Sequence, residues 1–192
     1  FIEISNENYN HTDNKKFHYL GLYLSLLAKL NIKIETKKHY LPFIPNSNNI
    51  FLNKKYLLFH LDKRWETFPL KVRDNLKRKI TSLSYDNKIV VTSNIGCNNF
   101  YNFIKKKLLN SSNIEFYDEP SLNNIISLVY FSETCISSHS GLIVHTAAAF
   151  NKKIIDIVHD EIFNELDRWV PFDTNYKRYN VQNFLDESFK FA

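Results

Sequence analysis

The sequence predicts an α/β domain: a Rossmann-like parallel sheet with helices on both faces, preceded by a short remnant of a second domain. Two observations carry that prediction. From residue 55 onward, short continuous apolar runs alternate four times with longer segments whose apolar residues recur at spacings of three and four. A run that is apolar throughout reads as a strand buried on both faces, the signature of a parallel sheet. The residues that follow each run are dense in His, Asp and hydroxyl side chains, as on the ligand rim of such a sheet.

Residues 1–15 are polar and read as loop or a frayed edge. Over 16–30 a helix is predicted from Phe17, Leu20, Tyr23, Leu24, Leu27 and Leu30, and 31–35 alternates like a short strand. Pro42, Pro45 and the segment Asn46 to Asn49 break the pattern. We place a linker at 41–50, so that residues 1–50 close one domain and 51–192 form another. Tyr56 to Phe59 is the first buried strand, and Val72, Leu76, Ile80 and Leu83 give a helix. Lys88 to Thr92 is a second strand; Phe100, Phe103, Ile104 and Leu108 give a helix begun near Asn98 or Asn99. Ile114 to Tyr117 is a third strand. Ser121 caps a helix bearing Leu122, Ile125, Ile126 and Val129. Thr134 to Ser137 is a fourth strand, 142–150 a nearly all-apolar central helix, and Lys153 to Val158 a fifth strand.

The chain has 192 residues, 44% hydrophobic and 23% charged, enough to bury a real core. No apolar run approaches the length of a membrane span, and no basic-then-apolar leader is present, so a cytoplasmic location is expected. Two cysteines, Cys97 and Cys135, make no disulfide framework. Cys135 lies inside a strand and reads as core; Cys97 has no partner His at a telling spacing. The chain begins at Phe1 and contains no methionine, so a fragment of a longer protein is expected. Its net charge is +5, with clusters at Lys77–Lys79 and Lys105–Lys107. Both clusters read as solvated helix faces, the lysine triplet mid-helix and facing water. The basic excess is expected to serve a phosphorylated small molecule and not nucleic acid, since no nucleic-acid motif accompanies it.

The residues after the five strands are the candidate site. They are His60-Leu61-Asp62-Lys63-Arg64, Thr92-Ser93-Asn94, Asp118-Glu119-Pro120-Ser121, Ser137-Ser138-His139-Ser140-Gly141, and His159-Asp160-Glu161. Gly141 stands out among only three glycines. It lies between a buried strand and a buried helix, where a glycine serves a tight turn or lets backbone approach an anion held by the amides of the helix start. Neither G-x-G-x-x-G nor G-x-x-x-x-G-K-[ST] occurs, which argues against a standard NAD enzyme and a P-loop NTPase. His145, one turn beyond Gly141, reads either as a satisfied core residue or as a binding group.

The text Ile136-Ser137-Ser138-His139-Ser140-Gly141, followed by His145-Thr146-Ala147-Ala148-Ala149, resembles the donor-binding half of glycosyltransferase family 9, the heptosyltransferase family. The upstream Glu119-Pro120-Ser121-Leu122 and the loop His60 to Trp65 resemble the same family. The resemblance covers about 55–170, and more weakly 16–50. The family pattern has an acidic residue where His139 stands, and one residue fewer between the glycine and the histidine. The resemblance implies the C-terminal domain of a GT-B enzyme that moves a sugar from a nucleotide-diphosphate-sugar donor to a glycan or lipopolysaccharide-type acceptor. It implies no bound metal and no cofactor, and peripheral contact with the inner membrane face. The family's catalytic base belongs to the acceptor domain, and no position here matches it.

On that reading the amides of Ser140, Gly141 and Leu142 face the diphosphate, with Lys63 or Arg64 opposite. Glu119 takes a ribose hydroxyl or base edge, and Asn94 reads a base edge. Ser138, His139 and His145 complete the donor-binding set. Two other readings stand beside it. One is a metal-dependent hydrolase using His60, Asp62, His139, His159 and Asp160. The other is a non-catalytic nucleotide-sugar-binding half.

Overall fold

The computed structural model describes residues 55–94, 99–163, 170–171 and 175–186. The helix expected over 16–30, the strand over 31–35, the linker at 41–50 and Cys97 lie outside the described residues.

Among the described residues, six parallel strands form one sheet. They are β1 (Leu57–His60), β2 (Ile89–Thr92), β3 (Ile114–Tyr117), β4 (Thr134–Ser137), β5 (Lys153–Val158) and β6 (Tyr176–Asn180). Between them run α1 (Leu70–Leu83), α2 (Asn99–Leu108), α3 (Leu122–Phe131) and α4 (Gly141–Ala149), and α5 (Val181–Asp186) follows β6. Each of the five expected strands lies within a residue of its expected place. The sixth strand and the last helix were not read from the sequence.

The strand order is β3-β2-β1-β4-β5-β6. The chain therefore winds outward from β1 to β3, then returns to the other side of β1 as β4. His60 pairs in register with Thr92 on one side and Ser137 on the other. Loops leaving β1 and β4 diverge to opposite faces, and this opens a crevice at their carboxyl ends, where such sheets bind ligands.

Side chains alternate across the sheet and build two apolar layers. Leu57, Phe59, Val91 and Ile136 pack with Leu76 and Ile80 of α1, Ile104 of α2 and Phe184 of α5. Leu58, Val90, Cys135 and Ile154 pack on the other face with Ile125 and Val129 of α3 and Ile143, Val144 and Ala147 of α4. The small Ala147 and Ala148 are buried, so α4 lies close against the sheet. Ser121 caps α3 as expected, its Oγ accepting from the Asn124 N–H at 3.3 Å.

The lysine triplet departs from expectation. Lys105, Lys106 and Lys107 occupy the last turn of α2, not its middle, where cations suit the helix dipole. Lys105 is not simply solvated: its Nζ bonds Asp118 at the carboxyl end of β3, as does the Tyr101 hydroxyl. The Lys105 bond first, then the Tyr101 bond, hold the Asp118 carboxyl below the usual carboxylate range.

Candidate functional site

The exit of β1 is held by backbone and side-chain hydrogen bonds. Leu61 N–H continues the ladder to Thr92 O at 2.8 Å. The Asp62 side chain then caps a single 3₁₀ turn, Lys63–Thr67, by accepting the Arg64 N–H at 3.0 Å. Trp65 is fully buried, packs its ring against Phe68 and Phe100, and donates its indole N–H to His60 O at 3.0 Å. With Trp65 pinned inward, Arg64 projects to the rim, where its Nη1 bonds Asp62 Oδ2 at 2.6 Å.

Two titratable groups lie beneath it. His60 is 3% exposed, and its Nδ1 lies 2.9 Å from Thr92 Oγ1. Burial, reinforced by the Arg64 charge, pushes this imidazole down to about 4, so it is neutral near pH 7. Burial raises the Asp62 carboxyl above its ordinary value; the Arg64 charge and hydrogen bonds offset that in part.

The exit of β4 is held by an acid from the next strand. His139 has φ 48, a left-handed conformation uncommon for a non-glycine residue. Asp156, mid-β5 and 0% exposed, accepts the His139 backbone N–H at 2.6 Å and its Nδ1 at 2.8 Å. The Tyr176 hydroxyl of β6 donates to the same carboxylate at 2.6 Å. Burial, then the Asp156 charge, raises the Tyr176 phenol above its ordinary value, which keeps it a donor. Ser140 next caps α4 with no side-chain hydrogen bond, so the amides of the first turn receive no side-chain cap.

Two pockets open over this crevice. One of 390 Å³ is lined by His60, Asp62, Arg64, Ser93, Asn94, Pro120, Leu122, Ile125, Ser140, Gly141 and Leu142. The other, of 620 Å³, is lined by Arg64, Thr67, Pro69, Ser138, His139, Val158, His159, Glu161 and Ile162. They share Arg64, and consecutive residues of the β4–α4 turn wall them: Ser138 and His139 on one, Ser140 and Gly141 on the other.

The expected donor-binding residues are therefore divided. Arg64, Asn94, Ser140, Gly141 and Leu142 come together on the smaller pocket, and Ser138 and His139 face the larger one. Lys63, Glu119 and His145 line neither. Lys63 is exposed, one residue from Arg64 in a 3₁₀ turn that advances about 120° per residue. Glu119 meets the rim through its backbone N–H, which donates to Ser93 Oγ at 3.4 Å. His145 is exposed on α4, which excludes its reading as a core residue.

Gly141 also differs from expectation. The strained position of the turn is His139. A Cβ at Gly141 would meet nothing nearer than His145 Cδ2 at 4.0 Å. The glycine leaves open space at the helix start; the turn itself does not demand it. Asp156, which organises the turn, was missed. Its signal was a lone acid in the apolar run Lys153 to Val158.

The metal-hydrolase reading loses its ligand set. Among the described residues, no group of three or more His, Cys, Asp or Glu side chains is placed to hold a metal ion. His60 faces Thr92, Asp62 faces Arg64, His139 faces Asp156, and His159 Nε2 lies 2.6 Å from Thr67 Oγ1.

The fold matches the glycosyltransferase family 9 structure from Veillonella parvula with a TM-score of 0.63 and 10% identity, over 88% of this chain and 50% of that one. It also matches a Listeria monocytogenes structure named for UDP-N-acetylglucosamine 2-epimerase, with a TM-score of 0.50 and 12% identity, over 73% of this chain and 39% of that one. The domain thus has the α/β, Rossmann-like fold of GT-B glycosyltransferases, in a divergent form. No family model matches the sequence, and no curated protein matches it. This chain spans half or less of the length of these solved structures: 50% of the first and 39% of the second. Among the described residues, no helix is long and apolar enough to cross a membrane.

Proposed function

We propose that this chain is the nucleotide-sugar-binding half of a GT-B glycosyltransferase, with residues 1–50 belonging to the acceptor-binding half. The observation that carries the reading is the start of α4. Its first turn lacks a side-chain cap and lines the 390 Å³ pocket at the switch point of the sheet, which Arg64 also lines. Uncapped helix-start amides and a cation suit a diphosphate. Leu122, Ile125, Pro120 and Leu142 supply an apolar wall for a nucleobase, and Asn94 a group for its edge.

In transfer, an acceptor hydroxyl oxygen bonds the anomeric carbon as the bond from that carbon to the diphosphate breaks; the diphosphate leaves with the electron pair, and the hydroxyl proton passes to a base of the acceptor-binding half. Negative charge then grows on the oxygens facing Ser140, Gly141 and Leu142, and donors already aimed there stabilise it without reorganising. Arg64 adds charge neutralisation without a metal ion. A glycan or glycolipid of the lipopolysaccharide type, met from the cytoplasm at the inner membrane face, is the acceptor class in this reading. Because an epimerase shares the fold, the reaction itself rests on these residues and not on the likeness.

The test is calorimetric titration of the chain with UDP, ADP, GDP and CDP, with and without EDTA. Binding that survives chelation and weakens in Arg64→Ala supports the reading. Binding that EDTA abolishes and zinc or manganese restores overturns it.

A further inference from the structure

We infer that the outer face of α1 and α2 adsorbs to an anionic phospholipid bilayer, with Lys71, Arg78 and Lys106 toward the headgroups and Leu70 and Leu109 entering the interface. The nucleotide reading names no surface of this chain for such a contact. The inference goes beyond that reading and stands on charge placement.

Charge is segregated by layer. α1 carries Lys71, Arg73, Lys77, Arg78 and Lys79 against one acid, Asp74, and α2 carries Lys105, Lys106 and Lys107 with no acid. Eight cations against one acid give these two helices a formal +7, whereas the whole chain holds +5, so the rest of the chain sums to −2. α3 and α4, on the opposite face of the sheet, contain no Asp, Glu, Lys or Arg. A helix face that is merely solvated mixes both signs. A single-sign field of this kind attracts a surface of opposite charge.

The cations are presented together. Val72, Leu76 and Ile80 of α1 and Phe100, Ile104 and Leu108 of α2 face the core. At 100° per residue that turns Lys71, Asp74 and Arg78 outward, and Asn102 and Lys106 on α2; all are exposed. The Arg73 guanidinium lies 4.1 Å over the Phe103 ring and joins the two helices side by side. Lys105 is committed to Asp118, and Lys79 to Leu185 O and the Phe184 ring. The side chains of Lys71, Lys77, Arg78, Lys106 and Lys107 form no ion pair among the described residues. The nearest described acids in sequence beyond the ends of α1 are Glu66, held by the Asn99 N–H at 2.7 Å, and Asp86.

Apolar residues favour a bilayer over nucleic acid as the partner. Leu70 is 69% exposed at the first position of α1, and Leu109 is 58% exposed just past the last position of α2. Neither can bond a phosphate or a base edge, whereas a lipid interface buries both. Lysines that attract headgroups and leucines that enter the acyl boundary act together in peripheral binding. With α1 and α2 against the bilayer, the sheet lies along it and the crevice at the carboxyl ends of the strands opens sideways over the lipid surface.

The experiment is co-sedimentation of the intact chain with vesicles of phosphatidylcholine alone, and of phosphatidylcholine with about 30% phosphatidylglycerol. Binding is expected to the anionic vesicles only, and it should weaken with salt. A basic side chain at such a surface contributes about fivefold in affinity, so Arg78→Ala with Lys106→Ala should weaken binding roughly thirtyfold. Lys55 and Lys177 are exposed outside the two helices. Lys55→Ala with Lys177→Ala lowers the net charge equally and should change binding less than about threefold. Leu70→Asn with Leu109→Asn should weaken vesicle binding about fivefold and leave affinity for random DNA unchanged. All these positions are exposed, and a thermal melt of each variant checks that it folds. Absence of binding to anionic vesicles, or equal losses from the two cation pairs, overturns the inference. Tighter binding of random DNA than of anionic vesicles at the same salt gives the face to nucleic acid and overturns it too. Diphosphate titration reads the nucleotide proposal separately: vesicle binding without diphosphate binding supports this inference and removes that proposal, and the reverse result does the opposite.

Discussion

Arg64 Nη1 lies 2.6 Å from Asp62 Oδ2, and the two ends of that ion pair differ sharply in exposure: the Arg64 side chain is 53% exposed, that of Asp62 4%. The acid is committed to the protein while the cation sits at the rim of both pockets. Asp62 also caps the turn that carries Arg64, so one carboxylate sets the position of the cation and partly neutralises it. An incoming anion would share Arg64 with Asp62, and the advantage of binding it is correspondingly reduced.

Removing the cation should expose the cost of the acid. In Arg64→Ala, Asp62 keeps its burial and the backbone N–H bond of residue 64, and loses the guanidinium charge and side-chain hydrogen bond that lower its pKa. A carboxyl raised in the folded state favours folding when protonated, so its ionisation costs stability as pH rises from the unfolded pKa through the folded one. Arg64→Ala should be less stable by about 1–2 kcal/mol near pH 7, discounted for the exposure of Arg64. The deficit should shrink as pH falls into the carboxylate range. Urea titrations of both proteins across that range measure it; a deficit independent of pH would place the loss elsewhere.

His60 gives the opposite slope. Its folded-state pKa is depressed to about 4 by burial and then by Arg64. Such a histidine contributes stability that is present above its unfolded pKa of about 6.5 and lost as pH falls toward the folded value. The window is therefore about pH 6.5 down to 4, and its full size is on the order of 3 kcal/mol. His60→Gln should flatten the stability curve over that window. Retention of the native slope in the variant would assign acid sensitivity to another group.

The sheet was legible in the sequence where burial is two-sided. β1, β2 and β4 are buried at every position, and β1 and β2 read as apolar runs that end at His60 and Thr92, whereas β4 carries only Cys135 and Ile136 between two hydroxyl residues. β6 was not, because among the described residues it lies at the edge of the sheet: Tyr176-Lys177-Arg178-Tyr179-Asn180 has no fully buried residue and pairs with β5 alone. Its place in the sheet comes from backbone pairing and from the Tyr176 bond to Asp156, neither of which has a local pattern. The candidate site was read as a rim because strand-end loops carry its residues. Its division into two pockets was not, since that depends on the left-handed turn at His139, and a lone Asp among apolar strand residues was the only sign of that turn.

Gly141→Val separates folding from binding. The Cβ meets only His145 Cδ2 at 4.0 Å, and no left-handed backbone is required, so the added side chain enters the pocket and not the core. The melting temperature should stay within about 2 °C of the native value. Diphosphate affinity should fall about tenfold or more, since the valine methyls crowd the amides that face the ligand. A native affinity would move the diphosphate away from the start of α4; a collapsed melting temperature would mean the space is not open.

Charge placement gives the last test. Arg64 lines both pockets, whereas Lys63, its neighbour in the same turn, lines neither. The lysines of α2 lie at its end, with Lys105 bound to Asp118. A charge-assisted contact to phosphate contributes roughly 1.5–3 kcal/mol, and competition from Asp62 places Arg64 at the lower end, about tenfold in affinity. Exposed charges more than about 10 Å from the ligand are largely screened at physiological salt. Arg64→Ala should therefore weaken diphosphate binding about tenfold. Lys63→Ala, and Lys105→Ala with Lys106→Ala and Lys107→Ala together, should each change it less than about twofold. Calorimetry at two salt concentrations measures all three. Equal losses would mean that only the diffuse basic field of the domain attracts the ligand. Tight binding of random DNA that weakens steeply with salt would assign the basic excess to nucleic acid instead.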